Sequence, residues 1–187
     1  KPSQEGLYQH YVAIADAVKT PVMLYNVPGR TAVDMLPSTV ARLSAHSNIF
    51  GIKEATGDLA RVTELINTCE KNFLLYSGDD ETAREFMLSG GSGVISVTSN
   101  VAPKAMNEMC AAALAGNADK ARALDSSLAG LHNYLFVESN PVPVKWGLAR
   151  QGLAGGTLRL PLTELSIENH AVVEQALADA GVLEFSA

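Results

Sequence analysis

The stretch FGIKEATGD, Phe50–Asp58, decides how this chain is read. Its first residues continue an apolar run that begins at Asn48, the mark of a buried strand, and its last three, Thr56-Gly57-Asp58, form a turn that ends on a helix-start residue. Between them stand Lys53 and Glu54. A strand that closes on charged groups and passes at once into a helix is a βα unit with reactive groups at its C-terminal end. Burying a lysine there is costly, so Lys53 calls for a partner or a task.

The same unit recurs along the chain. The runs Pro21–Tyr25 (PVMLY), Asn48–Ile52, Phe73–Ser77 (FLLYS) and Gly93–Thr98 (GVISVT) lack polar alternation. They predict strands covered on both faces, as in a parallel sheet flanked by helices. Helical patterns lie between them. Asp58 precedes LARVTELI, with Leu59, Val62, Leu65 and Ile66 on one face; Asp79 and Asp80 precede ETAREFML; Asn100 precedes a long helical run that Gly116 stops. A helix-like segment, Pro2–Val18, stands ahead of the first strand. After the fourth strand only helices are expected: Asp119 to about Phe136, a segment near Pro141–Arg150, and Ser166–Ala180 closed by Gly181, with Gly152–Thr163 as an irregular loop.

Four βα units fit either an open doubly wound sheet or half of an eight-stranded barrel. The glycine-rich loop SGGSG, Ser89–Gly93, argues against the nucleotide-binding sheet, because it follows a helix and precedes a strand. A phosphate cradle must follow a strand and open a helix, so that free N–H groups point at the anion. The loop therefore reads as a helix stop and a tight turn. The expected fold is α/β: the C-terminal half of a (β/α)8 TIM barrel, followed by a C-terminal helical segment. Residues 1–116 would form the second half of the barrel and 117–187 a helical region packed on it, with the N-terminal half-barrel absent from this chain. Four such strands alone would leave their inner faces to water, so a longer protein or a partner is expected to supply the rest.

Composition narrows the function. Of 187 residues, 47% are hydrophobic, enough for a sizeable core. With 20 acidic against 14 basic residues the net charge is -6, which repels phosphate backbones and excludes nucleic acid as a partner. No apolar run approaches the ~20 residues that cross a bilayer, and the N-terminal sequence lacks a signal-peptide core, so no membrane is implied and a cytoplasmic setting fits. Cys69 and Cys110 lie far apart in apolar helical stretches with no CxxC spacing and read as reduced thiols. His10, His46, His132 and His170 are scattered without ligand spacing and read as surface or core residues; no metal is expected.

In parallel barrels chemistry gathers where strands end, and these strands end on reactive groups. Lys53 is either a strand-end lysine that reaches solvent or a carboxylate, or a nucleophilic amine whose pKa is lowered by desolvation so that it can attack a ketone. Glu54 is not its partner, because successive strand side chains point to opposite faces. Tyr25 ends the neighbouring strand at the same level, either as a packed aromatic or as a phenol that carries protons to a lysine-bound intermediate. Arg30 lies just beyond, as a surface residue or as a fork for a substrate carboxylate. Asp79 and Asp80, at a helix start, read as caps favoured by the helix dipole rather than as metal ligands.

Taken together, YNVPGRT, GIKEATGDL, SGDDE, GVISVTSN and NPVPVKWGL resemble the dihydrodipicolinate synthase and N-acetylneuraminate lyase family of class I, Schiff-base aldolases. The likeness runs over essentially the whole chain. YNVPGRT, with its arginine, followed by GIKEATGD, is most similar to the synthase branch; the sialic-acid lyases share the YN-x-P and lysine positions but typically lack the arginine. The resemblance implies that Lys53 forms an imine with pyruvate, that Tyr25 relays protons, and that Arg30 holds the carboxylate of L-aspartate-4-semialdehyde. Gly78 and the main chain of Ile95 would border the pyruvate pocket, and the stretch around Asn140 would be a structural element near the barrel mouth. No cofactor is implied, since the lysine is itself the electron sink. The family is usually a homotetramer built as a dimer of dimers. The alternatives are a pyruvate-dependent lyase of sialic or sugar acids and a non-catalytic half-barrel fragment.

Overall fold

The structure, a computed structural model, describes residues 1–183. The chain forms two compact units, Lys1–Ile95 and the residues from Ser96 onward.

The first unit opens with α1, Gln4–Ala17, capped by the Ser3 side chain, which accepts from the N–H of Gly6. Four parallel strands follow in sequential order: β1 Val22–Asn26, β2 Ile49–Glu54, β3 Leu74–Ser77 and β4 Gly93–Val94. Helices intervene as α2 Pro28–Thr31, α3 Pro37–Ser44, α4 Ala60–Thr68 and α5 Ala83–Leu88. This is the strand order and connectivity of half of a (β/α)8 barrel.

One face of the sheet is covered by helices and the other is not. Leu24, Ile52 and Leu75 are buried against Ala15, Val40, Leu43, Val62 and Leu65 of α1, α3 and α4. On the opposite face Tyr25, Leu74 and Ile95 are each about two-fifths exposed, at 44%, 38% and 41%. Exposure of this face is what is expected of four such strands alone. The apolar runs reflect burial on the helix side and partial exposure on the other, a difference that composition does not carry.

Three further differences have local causes. The helix α3 was not expected because it has no capping residue of its own: Leu36 precedes Pro37 and offers no side-chain cap. The cap comes from a distance, with Gln4 Oε1 accepting from the N–H of Leu36 at 3.0 Å and from Thr39 Oγ1 at 2.6 Å. The fourth strand is shorter than Gly93–Thr98. Ile95 still donates to Ser77 O, but the Ser96 hydroxyl accepts from Ser99 N at 2.8 Å and Ser99 Oγ donates to Ser96 O at 3.1 Å. These local bonds turn the chain out of the ladder and into a 3-10 turn at Thr98–Asn100.

The second unit contains α6 Pro103–Leu114, α7 Ala118–Ser126, α8 Ala129–Tyr134, α9 Val142–Arg150 and α10 Ile167–Asp179. The segment Asp119–Phe136, expected as one helix, is two. Ser126 Oγ donates back to Arg122 O and Ser127 Oγ to Leu124 O, each at 2.8 Å, and such back-bonds bend or break a helix. Met106, Met109, Leu128, Leu131 and Leu177 are fully buried in this unit. His132 is buried among them, its Nδ1 2.9 Å from Thr98 Oγ1 and its Nε2 3.2 Å from Asp125 Oδ1. Among the described residues no helix is long and apolar enough to cross a membrane.

Candidate active site

The parallel register sets the site. Tyr25 pairs with Lys53, Lys53 with Tyr76, and Tyr76 with Gly93, so one row of side chains crosses the sheet on its uncovered face. The next row, Asn26, Glu54 and Ser77, falls on the helix-covered face by simple alternation, and each of the three is almost fully buried.

Lys53 Nζ lies 4.5 Å from the centre of the Tyr25 ring. The amine is half-buried, and burial pushes its pKa below that of an ordinary lysine; the nearby charge of Asp80, itself buried, acts in the opposite direction. A larger share of neutral amine is the result, which is what a nucleophilic lysine needs.

Gly78 makes room for the lysine stem. Its N–H donates to Glu54 O at 2.7 Å, and a Cβ at this position would lie 2.6 Å from Ala55 Cβ and 2.8 Å from Lys53 Cε. The backbone of β3 can approach the lysine this closely only because position 78 lacks a side chain. Lys53, Tyr25 and Gly78 are thus in direct proximity. Arg30 and Ile95 occupy the flanks: Arg30 is exposed on α2, in the turn after β1, and Ile95 is exposed just after β4. A cavity of about 270 Å³ adjoins Tyr25 on the α1 side, lined by Tyr11, Asn26, Thr31, Val33 and Met35 among others.

Sequence reasoning missed three features. Tyr76 stands beside Lys53 on the side away from Tyr25, with its ring edge against Gly93; alternation along Phe73–Ser77 carried that signal. Asp79 accepts from Thr82 N and Oγ1, as a cap does, while the neighbouring Asp80 is buried and its charge also acts on Lys53. Glu54, rightly excluded as a partner of Lys53, is held on the other face by Asn26 and Arg61.

The model of the dihydrodipicolinate synthetase family matches residues 1–180. The chain belongs to that family. Relatives within the family include the 4-hydroxy-tetrahydrodipicolinate synthases of Pseudomonas aeruginosa, 59% identical over 183 residues, and of Methylococcus capsulatus, 58% identical over 183 residues. Each alignment covers 98% of this chain and 63% of the relative, so the chain spans under two thirds of their length. Among solved structures, the chloride-inhibited dihydrodipicolinate synthase of Acinetobacter baumannii in complex with pyruvate superimposes with a TM-score of 0.95 at 54% identity, covering 98% of this chain and 63% of that one. The Aquifex aeolicus enzyme superimposes with a TM-score of 0.95 at 37% identity, covering 100% of this chain and 64% of that one.

Proposed function

We propose that this chain carries the nucleophile and proton relay of a Schiff-base-forming synthase that condenses pyruvate with L-aspartate-4-semialdehyde in the cytoplasm, in the diaminopimelate route to lysine. One observation carries the reading: a lysine with a lowered pKa at a strand end, its amine 4.5 Å from a tyrosine ring in register with it. The relatives named as synthases and the neighbour solved with pyruvate supply the substrate class.

The neutral Lys53 amine adds to the keto carbon of pyruvate, giving a carbinolamine that loses water and becomes an iminium ion. Loss of a proton from the adjacent methyl group gives an enamine. Its terminal carbon attacks the aldehyde carbon of the second substrate, forming the carbon–carbon bond while the aldehyde oxygen takes up a proton. The amine of the second substrate then attacks the iminium carbon, expels the Lys53 amine and closes the ring. Tyr25 gives and takes the protons, Gly78 and the main chain of Ile95 border the pyruvate, and Arg30 binds the carboxylate of the aldehyde. The assembly that accompanies this reading is a homotetramer built from dimers. One structural neighbour is described as a monomeric variant, so light scattering on the protein as its gene encodes it is informative.

Borohydride reduction in the presence of pyruvate tests the central claim. A stable adduct on the peptide containing Lys53 is expected, absent in Lys53→Ala and in Lys53→Arg, whose guanidinium stays protonated. An adduct on another lysine, or one that survives Lys53→Ala, would end the assignment.

A further inference from the structure

The alternation that puts Tyr25 and Lys53 on one face of the sheet puts Asn26 and Glu54 on the other, and there they belong to a connected polar network. The Asn26 amide donates to Asp34 Oδ1 at 2.9 Å and to Glu54 Oε2 at 3.1 Å, while its Oδ1 accepts from Met35 N at 2.9 Å. Arg61 of α4 donates from Nη1 to Asp34 Oδ2 at 3.0 Å and from Nη2 to Met35 O at 2.7 Å, and its Nε stands 3.3 Å from Glu54 Oε2. Gln4 Nε2 donates to Asp34 O at 2.7 Å. Asn26 and Glu54 are each 2% exposed.

The chain segment these bonds close is the one that carries Arg30. Asn26 ends β1, α2 follows at Pro28–Thr31, Ala32 takes a left-handed φ of 55°, and Asp34-Met35 return the chain to Asn26. Residues 27–33 are therefore a loop whose two ends are fastened to each other and then to β2 and α4. Arg30 itself is exposed, so the fastened ends, rather than packing around its side chain, set where the guanidinium stands.

We propose that Asp34 and Arg61, braced by Asn26 and Glu54, are positioning residues for Arg30: they fix the loop so that the guanidinium meets the carboxylate of the second substrate with its fork already oriented. The inference rests on the substrate-binding role proposed for Arg30. The chemical need is specific, because a two-pronged contact depends on orientation, and a loop free to sample several arrangements loses that contact without altering the lysine. Glu54 is buried and the Arg61 side chain largely so, while the Asp34 side chain is 37% exposed, so the pairing adds little net stability, which suits a device that holds one loop arrangement against others.

The test is a double-mutant cycle in the protein as its gene encodes it. Asp34→Ala and the isosteric Asp34→Asn are each made alone and with Arg30→Ala, and both kcat/KM for the aldehyde and the rate of pyruvate imine trapping are measured. The expected result is a loss of about tenfold or more in kcat/KM for the aldehyde in Asp34→Ala, carried mainly by KM, with a smaller loss in Asp34→Asn and trapping within about twofold of the wild type. In the Arg30→Ala background Asp34→Ala should cost nothing further. Losses that add to that of Arg30→Ala, or a matching loss of imine trapping, would show that Asp34 only supports the fold and would overturn the proposal. So would an Asp34→Ala protein with unchanged aldehyde kinetics beside an impaired Arg30→Ala. If Arg30→Ala is itself silent in a protein that traps pyruvate, the carboxylate role of Arg30 falls and this proposal with it. Failure of the wild type to trap pyruvate at all sinks the proposed function instead. Should Asp34→Ala not fold, Asp34→Asn and Arg61→Lys carry the same cycle.

Discussion

A Cβ placed on Gly78 would lie 2.8 Å from Cε and 3.0 Å from Cγ of Lys53, so the glycine of β3's turn and the lysine of β2 share one space. The same Cβ would lie 2.6 Å from Ala55 Cβ, which is fixed to the backbone and cannot swing aside. Gly78→Ala therefore forces apart the ends of two strands as well as the lysine stem. Overpacking of this kind costs about 1–3 kcal/mol, and the melting temperature should fall accordingly. The rate of borohydride-trapped imine formation should fall as well, because the amine is displaced from its tyrosine. A variant with normal stability and normal trapping would mean that the strands part at no cost and that Gly78 is not what places Lys53.

Tyr25 offers Lys53 a ring and a hydroxyl, and the two can be separated. Tyr25→Phe keeps the ring 4.5 Å from the amine but removes the hydroxyl proposed to carry the proton. Turnover should drop by about 10²–10⁴-fold, the usual worth of a positioned acid–base group. Trapping of the lysine adduct under saturating pyruvate should persist at a reduced rate. Tyr25→Leu removes both and should lower trapping further. Equal behaviour of the two variants would assign the whole effect to the hydroxyl, whereas a normal Tyr25→Phe beside an impaired Tyr25→Leu would assign it to packing and end the relay role of Tyr25.

The pH dependence of trapping follows from the amine. Burial lowers the pKa of Lys53 and the Asp80 charge partly opposes this, so the reactive neutral form should grow in over a range below that of a free lysine. Asp80→Asn removes the opposing influence, and the profile of trapping rate against pH should move toward lower pH. Stability obeys the same linkage. A lysine whose folded pKa is depressed adds stability that is full above its unfolded pKa and is lost as pH falls through the folded one. A shift of the Asp80→Asn profile to higher pH would mean that Asp80 does not act on Lys53 through its charge.

The fold and the centre of the site were legible because they depend on local pattern. The βα units announce themselves through apolar runs followed by Asp58, Asp79 and Asn100, and the reactive row follows from reading what ends each strand. What the sequence concealed depends on remote partners. Gln4 caps a helix 32 residues further along the chain through its bond to Leu36, and no local signal marks it. His132 gave no sign of its bonds to Thr98 and Asp125, which lie on other elements of its unit. Glu54 was placed on the face away from Lys53 by strand alternation, but its meeting with Asn26 and Arg61 needs the parallel register and the path of α4. Alternation is a property of one strand, whereas a network is a property of the packed unit.

In the proposed reaction Arg30 would separate the two half-reactions. It stands exposed on α2, beyond the strand end that carries Tyr25, with the lysine on the next strand over. If its guanidinium binds the carboxylate of the aldehyde, Arg30→Ala removes a charge-assisted, two-pronged contact of roughly 2 to 4 kcal/mol, about 30- to 1000-fold in kcat/KM for that substrate. In the proposed reaction pyruvate is captured covalently by Lys53 before the aldehyde is needed, so a group serving only the second substrate would be silent in the first step. Imine trapping should therefore change much less than aldehyde turnover. Arg30→Lys keeps the charge but loses the fork, and should recover only part of the loss. Equal losses for both substrates would make Arg30 a structural residue of the loop, and no loss for either would leave the carboxylate of the second substrate to be bound by another group.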